Sequence, residues 1–103
     1  MTATTFDVLA EPRRRQILDA LRDGPRSVGD LVQRLGISQP GTSKHLRVLR
    51  EARLVEVRPD AQRRLYELRA EPLAEIDQWL EPYRRMWGEH LDALERHLDE
   101  EDQ

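Results

Sequence analysis

A mainly α fold carrying one small β-hairpin (α+β) follows from three observations on these 103 residues. Two segments with helical apolar spacing, 27–36 and 38–52, flank a short break at Gly36-Ile37. Two brief runs of alternating apolar and charged residues follow, joined by a polar turn. The last third then repeats apolar residues at steps of three and four, as one long helix does.

The first element is short. Thr4 to Ala10 holds Phe6, Val8 and Leu9, enough for a brief helix or an apolar arm. Glu11-Pro12 starts a second helix, with Pro12 in a first turn that does not need its missing N–H. Ile17, Leu18 and Leu21 form its apolar stripe. Gly24-Pro25 is expected to end it, Gly as a left-handed cap and Pro as a residue that cannot continue the helix. Arg13, Arg14 and Arg15 crowd its start, against the helix dipole. A phosphate contact and plain surface solubility both account for them.

Ser27-Val28-Gly29-Asp30 reads as a capping-box-like start. Leu31, Val32 and Leu35 supply a buried face, and Gly36 suits the left-handed residue that closes a helix. Ser38 then caps the next helix, and Pro40 fits its first turn. Thr42, Leu46 and Leu49 share one face and pack inward. Gln39, Ser43, Lys44 and Arg47 fall largely on the other, where no carboxylate appears before Glu51. Amide, hydroxyl and cationic groups on one helix face can hydrogen-bond base edges and phosphates. A helix, a short turn and a second helix of this kind make the helix-turn-helix layout, whose second helix reads DNA.

From Leu54 the period changes to two. Val55 and Val57 point one way and Glu56 and Arg58 the other; after Pro59-Asp60-Ala61-Gln62-Arg63, Tyr66 and Leu68 alternate with charged neighbours. The segment 54–69 is thus a hairpin, or wing, that must lean on the helices. Its tip carries Arg63 and Arg64, placed for a phosphate or the minor groove.

Residues 71–98 read as one long helix, or two joined at a kink. Apolar residues fall at Leu73, Ile76, Leu80, Tyr83, Trp87, Leu91, Leu94 and Leu98, a coiled-coil seam with one stutter. Trp79 and Met86 widen it. Pro82 should kink or break the helix near Leu80. The stripe is longer than a small body needs, so a second copy is the economical cover. Acidic residues at the negative end of the dipole predict a frayed tail over 99–103. One domain results: body and wing over 5–69, the long C-terminal helix over 70–98, then the tail.

Composition narrows the function. The net charge of −3 argues at first against nucleic acid, but residues 1–69 hold 14 Arg and Lys against 9 Asp and Glu, and residues 70–103 hold 3 against 11. A basic body with an acidic C-terminal segment suits a DNA binder. No cysteine is present, which excludes disulfides and thiolate metal sites. No apolar run could span a bilayer and no signal pattern opens the chain, so the expected location is cytoplasmic with no membrane partner. No Gly-rich phosphate loop and no carboxylate cluster points to an enzyme, and no cofactor is expected.

The residues Leu9-Ala10-Glu11-Pro12-Arg13-Arg14-Arg15-Gln16-Ile17-Leu18, Val28-Gly29-Asp30-Leu31, Ser38 to Leu49, Leu54-Val55 and Arg63-Arg64-Leu65-Tyr66 resemble the ArsR (arsenical-resistance repressor) family of bacterial regulators. The resemblance covers about residues 5 to 98. It implies a dimeric winged helix-turn-helix repressor, paired through its first and last helices and bound to a palindromic operator in double-stranded DNA. The implied DNA-reading residues are Ser38, Gln39, Thr42, Ser43, Lys44 and His45, with Arg47 on the backbone and Arg63 and Arg64 on the wing. A hydrogen bond within the fold is an equally open role for His45. The implied dimer interface is Phe6, Leu73, Ile76, Leu80, Tyr83, Trp87, Leu91 and Leu94.

Three departures stand out. Metal-sensing members carry cysteines in the helix before the recognition helix, and 27–35 has none. Others bind zinc on paired last helices, where Asp77, His90, His97 and Glu100 are the candidates here; the upstream Asp-x-His pair is missing, so no metal is assigned. Position 53, commonly Gly in the family, is Arg53, either strained in a left-handed geometry or placed on a phosphate. The effector is unknown. Trp79, Tyr83, Met86 and Trp87 fit dimer core or the lining of an apolar ligand pocket. The alternatives to an operator-binding repressor are a protein-interaction module without DNA, and a metal-responsive repressor using His90 and His97.

Overall fold

The computed structural model describes residues 4–101. Four helices come first: α1 (Thr5–Leu9), α2 (Pro12–Ala20), α3 (Val28–Leu35) and α4 (Gln39–Glu51). The hairpin of β1 (Val55–Asp60) and β2 (Arg63–Leu68) follows, then a 3-10 turn (Glu71–Leu73) that leads into α5 (Ala74–Glu101). This is the expected winged helix-turn-helix with a long last helix.

Local chemistry sets the helix starts. Thr4 Oγ1 accepts from the N–H of Asp7 at 3.1 Å while the Asp7 carboxylate accepts from the N–H of Thr4, a reciprocal capping box. The hydrogen bond to the Thr4 N–H, joined by the Thr4 hydroxyl, lowers the Asp7 pKa. Ser27 and Ser38 cap α3 and α4 the same way, accepting from Asp30 N–H and Gly41 N–H. The Asp30 carboxylate does not return to the Ser27 N–H, as a full capping box would require. It pairs with Arg26 at 2.8 Å and with Arg34 at 3.6 Å. The Arg26 guanidinium, chiefly, holds the Asp30 carboxyl below its ordinary range.

Helix ends correct several expectations. α2 stops at Ala20, before Gly24-Pro25. The Arg26 Nε–H donates to the Ala20 carbonyl at 2.6 Å, satisfying one of the carbonyls a helix end leaves open. The crowded arginines of α2 also have carbonyl partners: Arg14 Nε reaches Val8 O at 2.7 Å and Arg15 Nη1 reaches Leu9 O. Both bonds close the C-terminus of α1, a structural role beyond the two that the sequence suggested. Arg53 follows α4 with φ of 63°. Its N–H donates to Arg50 O and the Leu54 N–H to Leu49 O, the paired bonds of a Schellman cap with arginine where glycine is usual.

The core lies where α2, α3, α4 and the base of the hairpin meet. Val8, Ile17, Leu18, Leu21, Leu31, Leu46, Leu49, Leu54 and Val55 are buried in it. The hairpin register runs from Val55 opposite Leu68 to Asp60 opposite Arg63. The turn is therefore only Ala61-Gln62, tighter than the expected five-residue turn, and Ala61 supplies its positive φ of 56°. A third edge was not foreseen: Arg26 and Tyr66 exchange both backbone bonds, at 3.0 and 2.8 Å. Arg26 so ties α2, α3 and the wing together.

α5 runs through Pro82 without a break. Pro82 removes one helical N–H and crowds the preceding turn. Arg84 bridges that step, donating to the Asp77 carboxylate at 2.6 Å, the Asp77 carbonyl at 2.7 Å and Glu81 at 3.1 Å. Chiefly through these side-chain hydrogen bonds, the two acids raise the Arg84 pKa. The helix also continues through Asp99 and Glu100 to Glu101, where fraying was expected; residues 102 and 103 of that tail lie outside the described residues. None of the described helices is long and apolar enough to cross a membrane.

Candidate nucleic-acid interface

α4 is built to present its N-terminal half. Ser38 Oγ accepts from Gly41 N–H at 3.1 Å, and its own O–H remains a donor. Gly41 sits in a tight space: a Cβ would lie 3.0 Å from Ser38 Oγ and 3.3 Å from Ile37 Cγ2, so the capping side chain would have to give way. Leu46 and Leu49 anchor the inner face, both fully buried. Ser38, Gln39, Ser43, Lys44 and Arg47 are all exposed on the helix start and outer face.

Thr42 is a correction. It is fully buried, and its hydroxyl donates to the Ser38 carbonyl at 2.9 Å. A base edge cannot reach it, so it belongs to the core rather than to the reading set. His45 is half-buried at the margin of the inner face. Arg50 was missed. It stands three residues beyond Arg47 and seven beyond Ser43, exposed on the same side of the helix. The spacing that places it there was visible in the sequence.

The wing presents a second cationic group. Arg63 and Arg64 are exposed beside the turn. Arg63 pairs with Asp60 at 3.0 Å, and Arg58, also missed, lies 3.9 Å from Glu67. Arg64 makes no ion pair or hydrogen bond among the described residues, so its charge is the one most available to a phosphate. At the base of the wing Arg69 meets Glu56 at 2.6 Å, a hydrogen bond that leads the upward shift of its pKa. Its Nε is buried without a partner.

The long helix divides its seam. Leu73 packs against the core of its own body, and Ile76 and Leu80 are half-buried. Phe6 of α1 meets Trp79 edge-on at 5.6 Å between ring centroids, and Trp79 meets Tyr83 at 5.0 Å. Beyond that the body ends. Trp79, Tyr83, Met86, Trp87, Leu91, Leu94 and Leu98 are 42 to 62% exposed. Among the described residues of one chain, no three His, Asp or Glu side chains converge on a point that could hold a metal ion.

Residues 11–57 match the bacterial regulatory proteins of the ArsR family. The HTH-type transcriptional regulator Rv2034 of Mycobacterium tuberculosis is 38% identical over 93% of this chain and 87% of its own length. This chain belongs to the ArsR family. The transcriptional repressor SdpR of Bacillus subtilis is 32% identical over 73% of this chain and 83% of its own. Among solved structures, the homodimeric winged helix-turn-helix DNA-binding domain Mb0332 of Mycobacterium bovis superposes with a TM-score of 0.61. It is 31% identical, over 76% of this chain and 72% of that one. The family and the relatives named here are transcriptional regulators.

Proposed function

We propose that this ArsR-family chain is a homodimeric transcriptional repressor that binds a palindromic operator. The observation that carries this reading is the outer face of α4, where Gln39, Ser43, Lys44, Arg47 and Arg50 stand exposed. None of their side chains has a hydrogen-bond or ion-pair partner among the described residues. A helix face with five unengaged donors is suited to a partner rich in acceptors and negative charge. Ser38, Gln39, Ser43 and Lys44, with His45 at the margin, read base edges in the major groove. Arg47 and Arg50 neutralise phosphates, and Arg63 and Arg64 do so from the wing.

The second surface is the uncovered stripe of α5 with Phe6. An exposed apolar patch of this length marks an interaction site, and a two-fold pairing makes it cover itself. Two copies joined through Phe6, Ile76, Leu80, Tyr83, Trp87, Leu91 and Leu94 hold the two α4 helices for successive major grooves, about 34–36 Å apart. The name of SdpR and the homodimeric state of Mb0332 support this assignment.

The test is fluorescence anisotropy with the DNA upstream of the chain's own gene, against a scrambled duplex, with sedimentation velocity in parallel. Saturable preference for the upstream duplex by a dimer is the expected result. A monomer at micromolar concentration, or equal affinity for the scrambled duplex, overturns the reading. Leu91→Glu should yield monomers and abolish operator binding together.

A further inference from the structure

An opening into the core lies where α1, α2, the end of β2 and the 3-10 turn meet. Leu9 at the end of α1, Leu18 of α2, Leu68 at the end of β2 and Leu73 of the 3-10 turn line it, with Arg15, Asp19 and Arg22 completing the wall. Its volume is about 280 Å3, just below the roughly 300–1,000 Å3 typical of drug-sized ligand sites, so it suits a smaller molecule. Four leucines from four separate elements make the floor. Leu9, Leu68 and Leu73 are only half-buried, although each packs against the core.

The charges at the wall decide the ligand. Two guanidiniums stand against one carboxylate. Arg15 spends one donor on the Leu9 carbonyl and keeps its charge, since a guanidinium offers five donors. Arg22 is exposed, and its side chain makes no hydrogen bond or ion pair among the described residues. A guanidinium fork matches a carboxylate in bidentate geometry. We propose that this cleft binds a small amphiphilic carboxylate, its apolar tail against Leu9, Leu18, Leu68 and Leu73 and its head on Arg22 and Arg15. The site touches α1, α2, the base of the wing and the turn leading into α5.

The test reads binding without DNA, so it stands or falls apart from the proposed operator function. The full chain is titrated with octanoate and with 1-octanol by calorimetry. One octanoate per chain is expected, bound more tightly than the neutral alcohol. Arg22→Gln should weaken octanoate by roughly five- to tenfold, the scale of a charge-assisted hydrogen bond at a solvated rim, and leave octanol unchanged. Leu68→Phe, with its fold checked by circular dichroism, narrows the cleft and should reduce both. Absence of saturable heat, equal affinity for octanol, or octanoate binding that survives Arg22→Gln overturns the proposal. So does binding that is lost in Trp87→Ser and kept in Leu68→Phe, because it belongs to the exposed face of α5.

Discussion

Arg53→Gly is the substitution whose effect the structure defines most closely. Arg53 holds φ of 63° in the cap that ends α4. For a residue with a β-carbon this region costs about 1–2 kcal/mol, from the approach of Cβ to the following carbonyl oxygen. Glycine removes that cost but gains freedom in the unfolded chain, which returns roughly 0.4–1 kcal/mol. The Arg53 side chain makes no hydrogen bond or ion pair among the described residues, so little else is lost. The net expectation is a stabilisation of about 0.5–1 kcal/mol, or a rise in Tm of roughly 2–8 °C for a domain of this size. Thermal unfolding followed by circular dichroism measures it, at one protein concentration because association would shift the midpoint. Arg53→Ala is the necessary control, since it deletes the side chain and keeps the β-carbon. If Arg53→Gly melts no higher than Arg53→Ala, backbone strain at this position is not the cause. DNA affinity completes the test: unchanged binding leaves strain as the whole story, and a loss in both variants makes Arg53 a phosphate contact.

Three other outcomes are expected. Thr42→Val removes the hydroxyl bond to Ser38 O but leaves that carbonyl the Thr42 N–H, so stability should fall by about 1 kcal/mol or less with base preference unchanged; altered preference in a panel of operator variants would return Thr42 to the reading set. Arg63→Ala with Arg64→Ala should weaken all duplexes alike and flatten the plot of log affinity against log salt by about one to two, the smaller value applying if the Asp60 pair already withholds Arg63; an unaltered slope retires the wing assignment. Asp30 has a folded pKa lowered chiefly by Arg26, so the stability it contributes is present above the unfolded value and lost as pH falls through the folded one. Asp30→Asn should therefore shallow the acid limb of the stability–pH curve, and a curve identical to the parent's would show that the pairing has no net effect.

Much of this chain is legible in its sequence. Ser27, Ser38, Gly36 and Pro40 bracket α3 and α4 through effects that reach three or four residues, and the alternation at Val55, Val57, Tyr66 and Leu68 exposes the hairpin. The outer face of α4 follows from periodicity alone, including Arg50, which was overlooked although its position satisfies the same rule. Arg53 was marked through the family resemblance, which puts glycine at that position. What only the tertiary structure decided are pairings between distant groups. Arg14 and Arg15 resemble surface charge until Val8 and Leu9 present their carbonyls to them. Arg26 resembles a loop residue until Tyr66 arrives beside it. Thr42 could serve base or core, and the close packing beneath α4 chose the core. Pro82 argued for a break that Arg84 bridges from the following turn, an arrangement that no propensity encodes. Likewise Leu73 belongs by spacing to the seam of α5, and the 3-10 turn swings it onto the body instead. Short-range hydrogen bonds and backbone angles are properties of a few neighbouring residues, whereas the partner of a long arginine or the owner of an apolar face depends on which elements the fold brings within reach.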